Sequence, residues 1–180
     1  MNYRPISRLC IISKTLEQSV FNHCYPLLAP KLYHLQHGFL KGRSTVTQLL
    51  EVYHDILACL DIIHLDLSKA FDLVPHHLLL FQLDRYGISG SLCKWFKSYL
   101  ADRQQRVVLN GSSSDWLPVT SGGPQGSILG PLLSLVYAND MSNYVVEGCL
   151  ALFADYSKLY RPIVSSSDCR SLQSDLNHLH

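Results

Sequence analysis

The sequence predicts a mixed domain, α/β in content and α+β in arrangement, with an antiparallel sheet packed on helices. Two observations carry that expectation. The first is the stretch Leu152-Phe153-Ala154-Asp155-Tyr156-Ser157-Lys158-Leu159-Tyr160, apolar on both sides of one carboxylate, which reads as a tight hairpin with Asp155 at its turn. The second is a series of segments with apolar residues at helical spacing, separated by short connections marked by glycine and proline.

Length and composition set the frame. A chain of 180 residues can bury one substantial core, and 47% hydrophobic against 16% charged residues argues against disorder. The formal charge of +1 advertises no broad basic face for nucleic acid and leaves room only for a locally basic groove. Cys10, Cys24, Cys59, Cys93, Cys149 and Cys169 lie far apart, without zinc spacing, so they are expected to be reduced and mostly buried, as inside a cell. Leu9-Cys10-Ile11-Ile12 is too short for the apolar core of a signal peptide, and no apolar run approaches the roughly 18 residues of a membrane span. An intracellular chain, nuclear or cytoplasmic and without a membrane partner, is the expectation.

In chain order, Leu16, Val20, Phe21 and Cys24 predict a helix over about residues 13 to 25, stopped at Tyr25-Pro26. The loop Gln36 to Ser44 holds two glycines and two cations, and it runs into a helix in which Thr45 and Gln48 can form a capping box. The apolar face of that helix is expected to be Val46, Leu49, Leu50, Tyr53, Ile56 and Leu57. A β run ends at Asp66. Pro75 suits the first position of the next helix and Gly87 its stop, after which Ser89 caps a helix whose Leu92, Trp95, Phe96, Tyr99 and Leu100 read as core. Gln105 to Leu109, then Asn110-Gly111, then Trp116 to Thr120 predict a hairpin with a loop of several residues. The glycine-rich loop Ser121 to Pro131 opens an apolar helix through Leu132, Leu135, Val136 and Met141. Strands Cys149 to Phe153 and Lys158 to Ile163 flank Asp155, and a last helix, capped by Asp168, carries Leu172, Leu176 and Leu179.

Two acids at the ends of apolar runs, Asp66 and Asp155, are the candidates for chemistry. Carboxylates delivered from separate strands to one point suit a hard divalent cation, and two Mg2+ ions about 3.5 to 4 Å apart can drive in-line phosphoryl displacement. Lys41 and Arg43, beside glycines and a helix N-terminus, form a candidate anion site as readily as a solvated turn. The loop at Gln125 lacks the Gly-Lys-Ser/Thr of a nucleotide P-loop, but its backbone can lie flat against a planar ligand.

Four segments in fixed order, Gly38 to Thr45, Asp66 to Pro75, Ser121 to Pro131 and Phe153 to Tyr160, resemble the reverse transcriptase domain of non-LTR (LINE-like) retrotransposons. Tyr3-Arg4-Pro5-Ile6-Ser7, Tyr86 to Gly90 and Leu117 to Thr120 extend the resemblance over essentially the whole chain. It implies a fragment of a right-hand polymerase: about residues 1–60 fingers-like, about 61–180 mainly palm with inserted helices, thumb and endonuclease absent. It further implies RNA-directed DNA synthesis on an RNA template and DNA primer with dNTPs and Mg2+. By matching positions, Asp66 and Asp155 resemble the metal-binding aspartates and Phe71 the gate that excludes a ribose 2′-hydroxyl. Gln125 and Gly126 resemble the nucleotide-contacting loop, and Lys41 and Arg43 the triphosphate-facing cations.

Three positions depart from the family pattern. Tyr156 stands where a second aspartate is usual, and a phenol, with a reference pKa of about 10, is a poor Mg2+ ligand. Leu40 stands in place of a usual arginine, and Gly123 in place of a usual valine. The expectation is therefore a reverse transcriptase by descent whose activity is lost in this degenerate copy, with a non-catalytic nucleic-acid-binding remnant as the alternative. A metal phosphohydrolase built on Asp66 and the nearby Asp72 lacks the further catalytic acids it would need.

Overall fold

The computed structural model describes residues 9–56, 60–66 and 72–179. They gather into two compact units, one from residues within 1–27 and 71–133, the other from residues within 28–70 and 134–180.

The first unit contains most of α1 (Ile11–Leu28), α3 (His76–Arg85), α4 (Gly90–Leu100), two short ribbons and the start of α5 (Leu129–Ala138). Helices α3 and α4 pack together, and Leu79, Leu83, Phe96 and Leu100 are buried. Helix α1 runs past the expected stop, with Pro26 inside its last turn. A proline so near the C-terminus forfeits only one late backbone bond. Ser89 stands at the N-cap of α4, yet its side chain makes no capping bond. Pro75 is likewise the N-cap of α3 rather than its first residue.

The expected hairpin is tighter than its spacing suggests. β3 (Val108–Leu109) already pairs with β4 (Ser112–Ser113), leaving Asn110-Gly111 as a two-residue turn, and β2 (Gln104–Gln105) pairs with β5 (Leu117–Pro118) further out. Both turn residues have positive φ, +49° and +81°, the conformation that an Asn-Gly pair favours. A buried carboxylate ties the unit together: Glu17 accepts the Tyr99 hydroxyl at 2.9 Å and the Ile128 N–H at 2.8 Å. Burial, with Glu17 beside it, raises the Tyr99 phenol well above its ordinary range.

The second unit is built on a three-stranded antiparallel sheet of order β1-β7-β6, with β1 Leu60–Asp66, β6 Cys149–Phe153 and β7 Tyr156–Pro162. Helix α2 (Thr45–Ile56) packs on β6 and α6 (Ser166–Leu179) on β7. The mixed helix and antiparallel sheet expected from the sequence is thus present, with one reversal. Four residues of the expected apolar face of α2 point outward, with Val46 61%, Leu49 54%, Leu50 64% and Tyr53 63% exposed, while the Ile56 side chain and Leu57 lie outside what the structure describes. Val52 turns inward, in a cluster with Ala151, Tyr160 and Ile62, and Gln48 one turn earlier is buried as well. The cap of α2 also shifts by one residue: Ser44 Oγ accepts the Thr47 N–H and Thr47 Oγ1 accepts the Ser44 N–H, a reciprocal box one position before the expected one.

Met141 lies in the 3-10 turn Asn139–Tyr144 after α5 rather than on the helix. The described cysteines are free, but only Cys24 is buried, while Cys10, Cys149 and Cys169 are exposed. None of the described helices is long and apolar enough to cross a membrane.

At the start of α6, Asp168 does cap, but from inside the first turn. Its carboxylate accepts the N–H groups of Val164 and Ser165 and the Ser165 hydroxyl, and it pairs with Arg161. These bonds hold its pKa down to about 2, the Ser165 hydroxyl contributing most and Arg161 next. Later in α6, buried Asp175 accepts three successive backbone N–H groups, from Val146, Glu147 and Gly148, at 3.0, 3.0 and 2.6 Å.

Asp175→Ala is expected to lower stability in urea denaturation by about 3 kcal/mol, because it strands three N–H groups of one loop. Asp168 titrates lower in the folded than in the unfolded chain, so its contribution is present above its unfolded pKa and fades as pH falls through the folded value. The melting temperatures of wild type and Asp168→Asn are accordingly expected to differ at pH 6 and to converge near pH 2.

Candidate active site

Strand pairing brings the two candidate acids to one end of the sheet. Strands β1 and β7 pair antiparallel from Leu60↔Pro162 to Asp66↔Tyr156, so Asp66 stands directly opposite Tyr156 and Asp155 is the next residue back. Directly opposed residues share a face of the sheet, with Cβ atoms about 4.5 to 5.5 Å apart. Position 156, where the resemblance expects an acid, is therefore the cross-strand neighbour of Asp66. It holds a tyrosine that is 56% exposed.

Asp155 sits in a two-residue turn, closed by the pair Phe153↔Tyr156. The first turn residue, Ala154, has φ +56°. That conformation costs a non-glycine residue about 1 kcal/mol or more, so something must hold it. The holder is the loop before α2. Leu35 accepts the Leu152 N–H at 2.9 Å and His37 donates to the Leu152 carbonyl at 2.8 Å, which adds a short parallel bridge to the free edge of β6. The Gln36 side-chain carbonyl, buried at 3% exposure, accepts the N–H of Ala154 at 3.0 Å and that of Gly38 at 2.7 Å. Gly38 lies so close to the turn that an added Cβ would come within 2.2 Å of the Ala154 nitrogen.

Two further side chains lock this loop. The His37 ring places Nδ1 2.8 Å from Thr47 Oγ1 and Nε2 2.9 Å from Glu51 Oε2, both on α2. A carboxylate only accepts, so the bond to Glu51 is donated by Nε2. Arg43, expected to face phosphate, donates to the main-chain carbonyls of His34 and Gln36. Lys41 is exposed in the turn just before α2. In the sequence Gln36 and His37 are marked only by their place beside Gly38.

A cleft of about 470 Å³ opens beside Asp66, lined among others by Thr45, Gln48, His64, Tyr156 and Lys158. Among the described residues the side chains of Asp66 and Asp155 make no hydrogen bond or ion pair. A carboxylate at the end of β1 and one in the adjoining β6–β7 turn are a donor set that suits Mg2+, which keeps several of its waters and takes one or two protein carboxylates. Among the described residues no group of three His, Cys, Asp or Glu side chains gathers.

Gln125 and Gly126 belong to the first unit. The turn Pro124 to Ser127 is closed by the Ser127 N–H on the Pro124 carbonyl at 3.0 Å, with Gly126 at φ +87°. Gln125 Nε2 donates to the Asp72 carboxylate at 2.7 Å, and the Ser121 hydroxyl donates to the Asp72 carbonyl at 2.7 Å. Gly123 has room for a side chain, since an added Cβ would meet only Gly130 at 3.5 Å. Phe71, the expected gate, lies outside the described residues.

Residues 1–159 match the family "Reverse transcriptase (RNA-dependent DNA polymerase)". The chain belongs to the reverse transcriptase family. Among curated relatives, "Probable RNA-directed DNA polymerase from transposon BS" of Drosophila melanogaster is 33% identical over 99% of this chain and 21% of its own length. The RNA-directed DNA polymerase from mobile element jockey of the same species is 32% identical over 79% of this chain and 16% of its own. The reverse transcriptase segment described here thus spans about a fifth or less of these relatives. Apo telomerase from Candida tropicalis shares the fold, with a TM-score of 0.64 at 11% identity over 92% of this chain and 37% of that one.

The contact of Gly38 with the turn yields a direct test. Gly38→Ala is expected to lower the urea midpoint by the equivalent of about 2 kcal/mol or more, because the new Cβ meets backbone rather than a movable side chain.

Proposed function

We propose that this chain is the palm-bearing part of an RNA-directed DNA polymerase of retrotransposon type, with Mg2+ held by Asp66 and Asp155, and that Tyr156 leaves this copy without measurable activity. The observation that carries the reading is the β1–β7 register, which sets Asp66 opposite position 156 and one residue from Asp155. The substrates on this reading are an RNA template, a DNA primer and dNTPs, met inside the cell.

Mg2+, when bound, would activate the primer 3′-hydroxyl and neutralise charge on the departing pyrophosphate. The residues of the chain supply position and charge. Asp66 and Asp155 offer acceptors that no other described side chain occupies. Lys41 would neutralise phosphate oxygens, and Arg43 would act chiefly by fixing the loop that braces the Asp155 turn. Phe71 would select a deoxyribose by bulk. Gln125, its amide held by Asp72, would present its remaining acceptor and donor capacity to the nucleotide and template.

Tyr156 acts on this site in two ways. It removes one negative charge from the face of Asp66, and it sets a bulky ring beside the place a metal would take. The second reading, a nucleic-acid-binding remnant without catalysis, draws on the same residue, since losing a negative charge beside Asp66 weakens metal binding and lessens repulsion of phosphate.

Purified protein given primed RNA, dNTPs and Mg2+ is expected to extend no primer, and template-dependent extension by the wild type would overturn the role given to Tyr156. Asp66→Asn and Asp155→Asn are each expected to weaken Mn2+ binding, read by electron paramagnetic resonance, whereas Tyr156→Asp should tighten it. A filter-binding titration separates the second reading from a chain with no nucleic-acid affinity, because phosphate contacts make binding fall steeply as salt rises.

A further inference from the structure

The strained turn at Ala154 is held by a side chain that the proposed chemistry does not use. We propose that Gln36 is the positioning residue for Asp155. It sets the height and direction of that carboxylate by clamping the turn from below, and the inference rests on the metal-binding reading given above.

Three features of Gln36 support this role. Its side-chain carbonyl accepts two backbone N–H groups at once, from Gly38 in its own loop and from Ala154 in the hairpin turn, so one oxygen joins two segments 118 residues apart in sequence. Ala154 immediately precedes Asp155 and holds φ +56°, a conformation that relaxes readily once its N–H is released. The bridge is also buried, with Gln36 at 3% exposure, so water cannot readily replace the lost acceptor.

The surroundings keep Gln36 itself from moving. Its main chain is bridged to Leu152 on β6, and its carbonyl accepts from the Arg43 guanidinium at 3.0 Å. The next residue, His37, is fixed to α2 through Thr47 and Glu51. The adjoining Gly38 leaves no space between loop and turn. Helix, loop and turn therefore form one rigid support, and Gln36 Oε1 is its contact with the residue beside the acid. Glutamine suits the place because it is neutral: a carboxylate there would accept the same bonds but add a negative charge near Asp155.

The test compares Gln36→Leu, which removes the acceptor, with Gln36→Glu, which keeps it. Mn2+ affinity and the hydrogen exchange of the Ala154 amide are the readouts, with Asp155→Asn defining the site and Asp175→Ala as a destabilised control. Gln36→Leu is expected to speed exchange at Ala154 and to weaken Mn2+ binding about tenfold or more, the usual effect of removing a group that orients a metal ligand. Gln36→Glu should restore slow exchange and most of the affinity. Asp175→Ala, although less stable, should bind Mn2+ as the wild type does.

If Asp155→Asn leaves Mn2+ binding unchanged, the metal-binding reading itself fails and the role of Gln36 falls with it. If Asp155→Asn weakens binding while Gln36→Leu does not, the positioning role alone is overturned. Parallel loss of Mn2+ affinity in Gln36→Leu and Asp175→Ala would also overturn it, by showing that general destabilisation suffices.

Discussion

The register between β1 and β7 is the constraint on which the second unit depends. Side chains alternate across a strand, so a slip of one residue would turn Asp66 to the opposite face and bring Leu65 beside position 156. The hairpin connection prevents that slip from the other side, because a two-residue turn leaves β6 and β7 only one pairing, Phe153↔Tyr156 at its base. A short turn keeps the register but must accept an unfavourable residue at Ala154. The loop of Gln36 to Gly38 supplies the counterforce, and it does so on the open edge of β6 that would otherwise be an unpaired strand edge.

Buried polar groups recur wherever a loop must be held to a regular element. Glu17 joins α1 to the Tyr99 hydroxyl and the start of α5, and Asp175 gathers three N–H groups of the loop before β6. The Tyr160 hydroxyl donates to Asp55 at 2.8 Å and is raised well above its ordinary pKa by burial and by that carboxylate. Each is a single side chain that satisfies main-chain or hydroxyl donors, which is how a small unit can hold irregular segments without a large apolar contact. At the ribbons of residues 104–118 the side-chain bond is an exposed one, Ser114 Oγ accepting the Val107 N–H at 3.0 Å, and Val107, Val108, Leu109 and Trp116 stay exposed, with Arg106 stacked over the Trp116 ring at 4.6 Å.

Several elements were legible in the chain itself because they depend on local rules. The Asp155 hairpin, the Asp66 strand, the helix between Pro75 and Gly87 and the turn signal of Asn110-Gly111 follow from alternation, helical spacing and residues that accept positive φ. Expectation and structure part where local preference leaves a choice. Helix α2 has a true apolar stripe in Val46, Leu49, Leu50 and Tyr53, but its docking face is set by His37 reaching Thr47 and Glu51 and by Val52 meeting Ala151 and Tyr160. Periodicity says that a helix has faces and cannot say which one a distant strand will meet. For the same reason Arg43, a cation beside glycines, reads as a phosphate ligand until its carbonyl partners in the folded loop are known.

The sequence alone determined the family, through ordered motifs whose residue types are demanded by chemistry, and it marked Asp66, Asp155 and the tyrosine at 156 as the positions to watch. Only the tertiary structure decided that Asp66 and Tyr156 face each other and that Gln36 reaches the turn from more than a hundred residues away. The physical reason is that identity and spacing act along the chain, whereas register, burial and a shared acceptor exist only when separate segments meet in space.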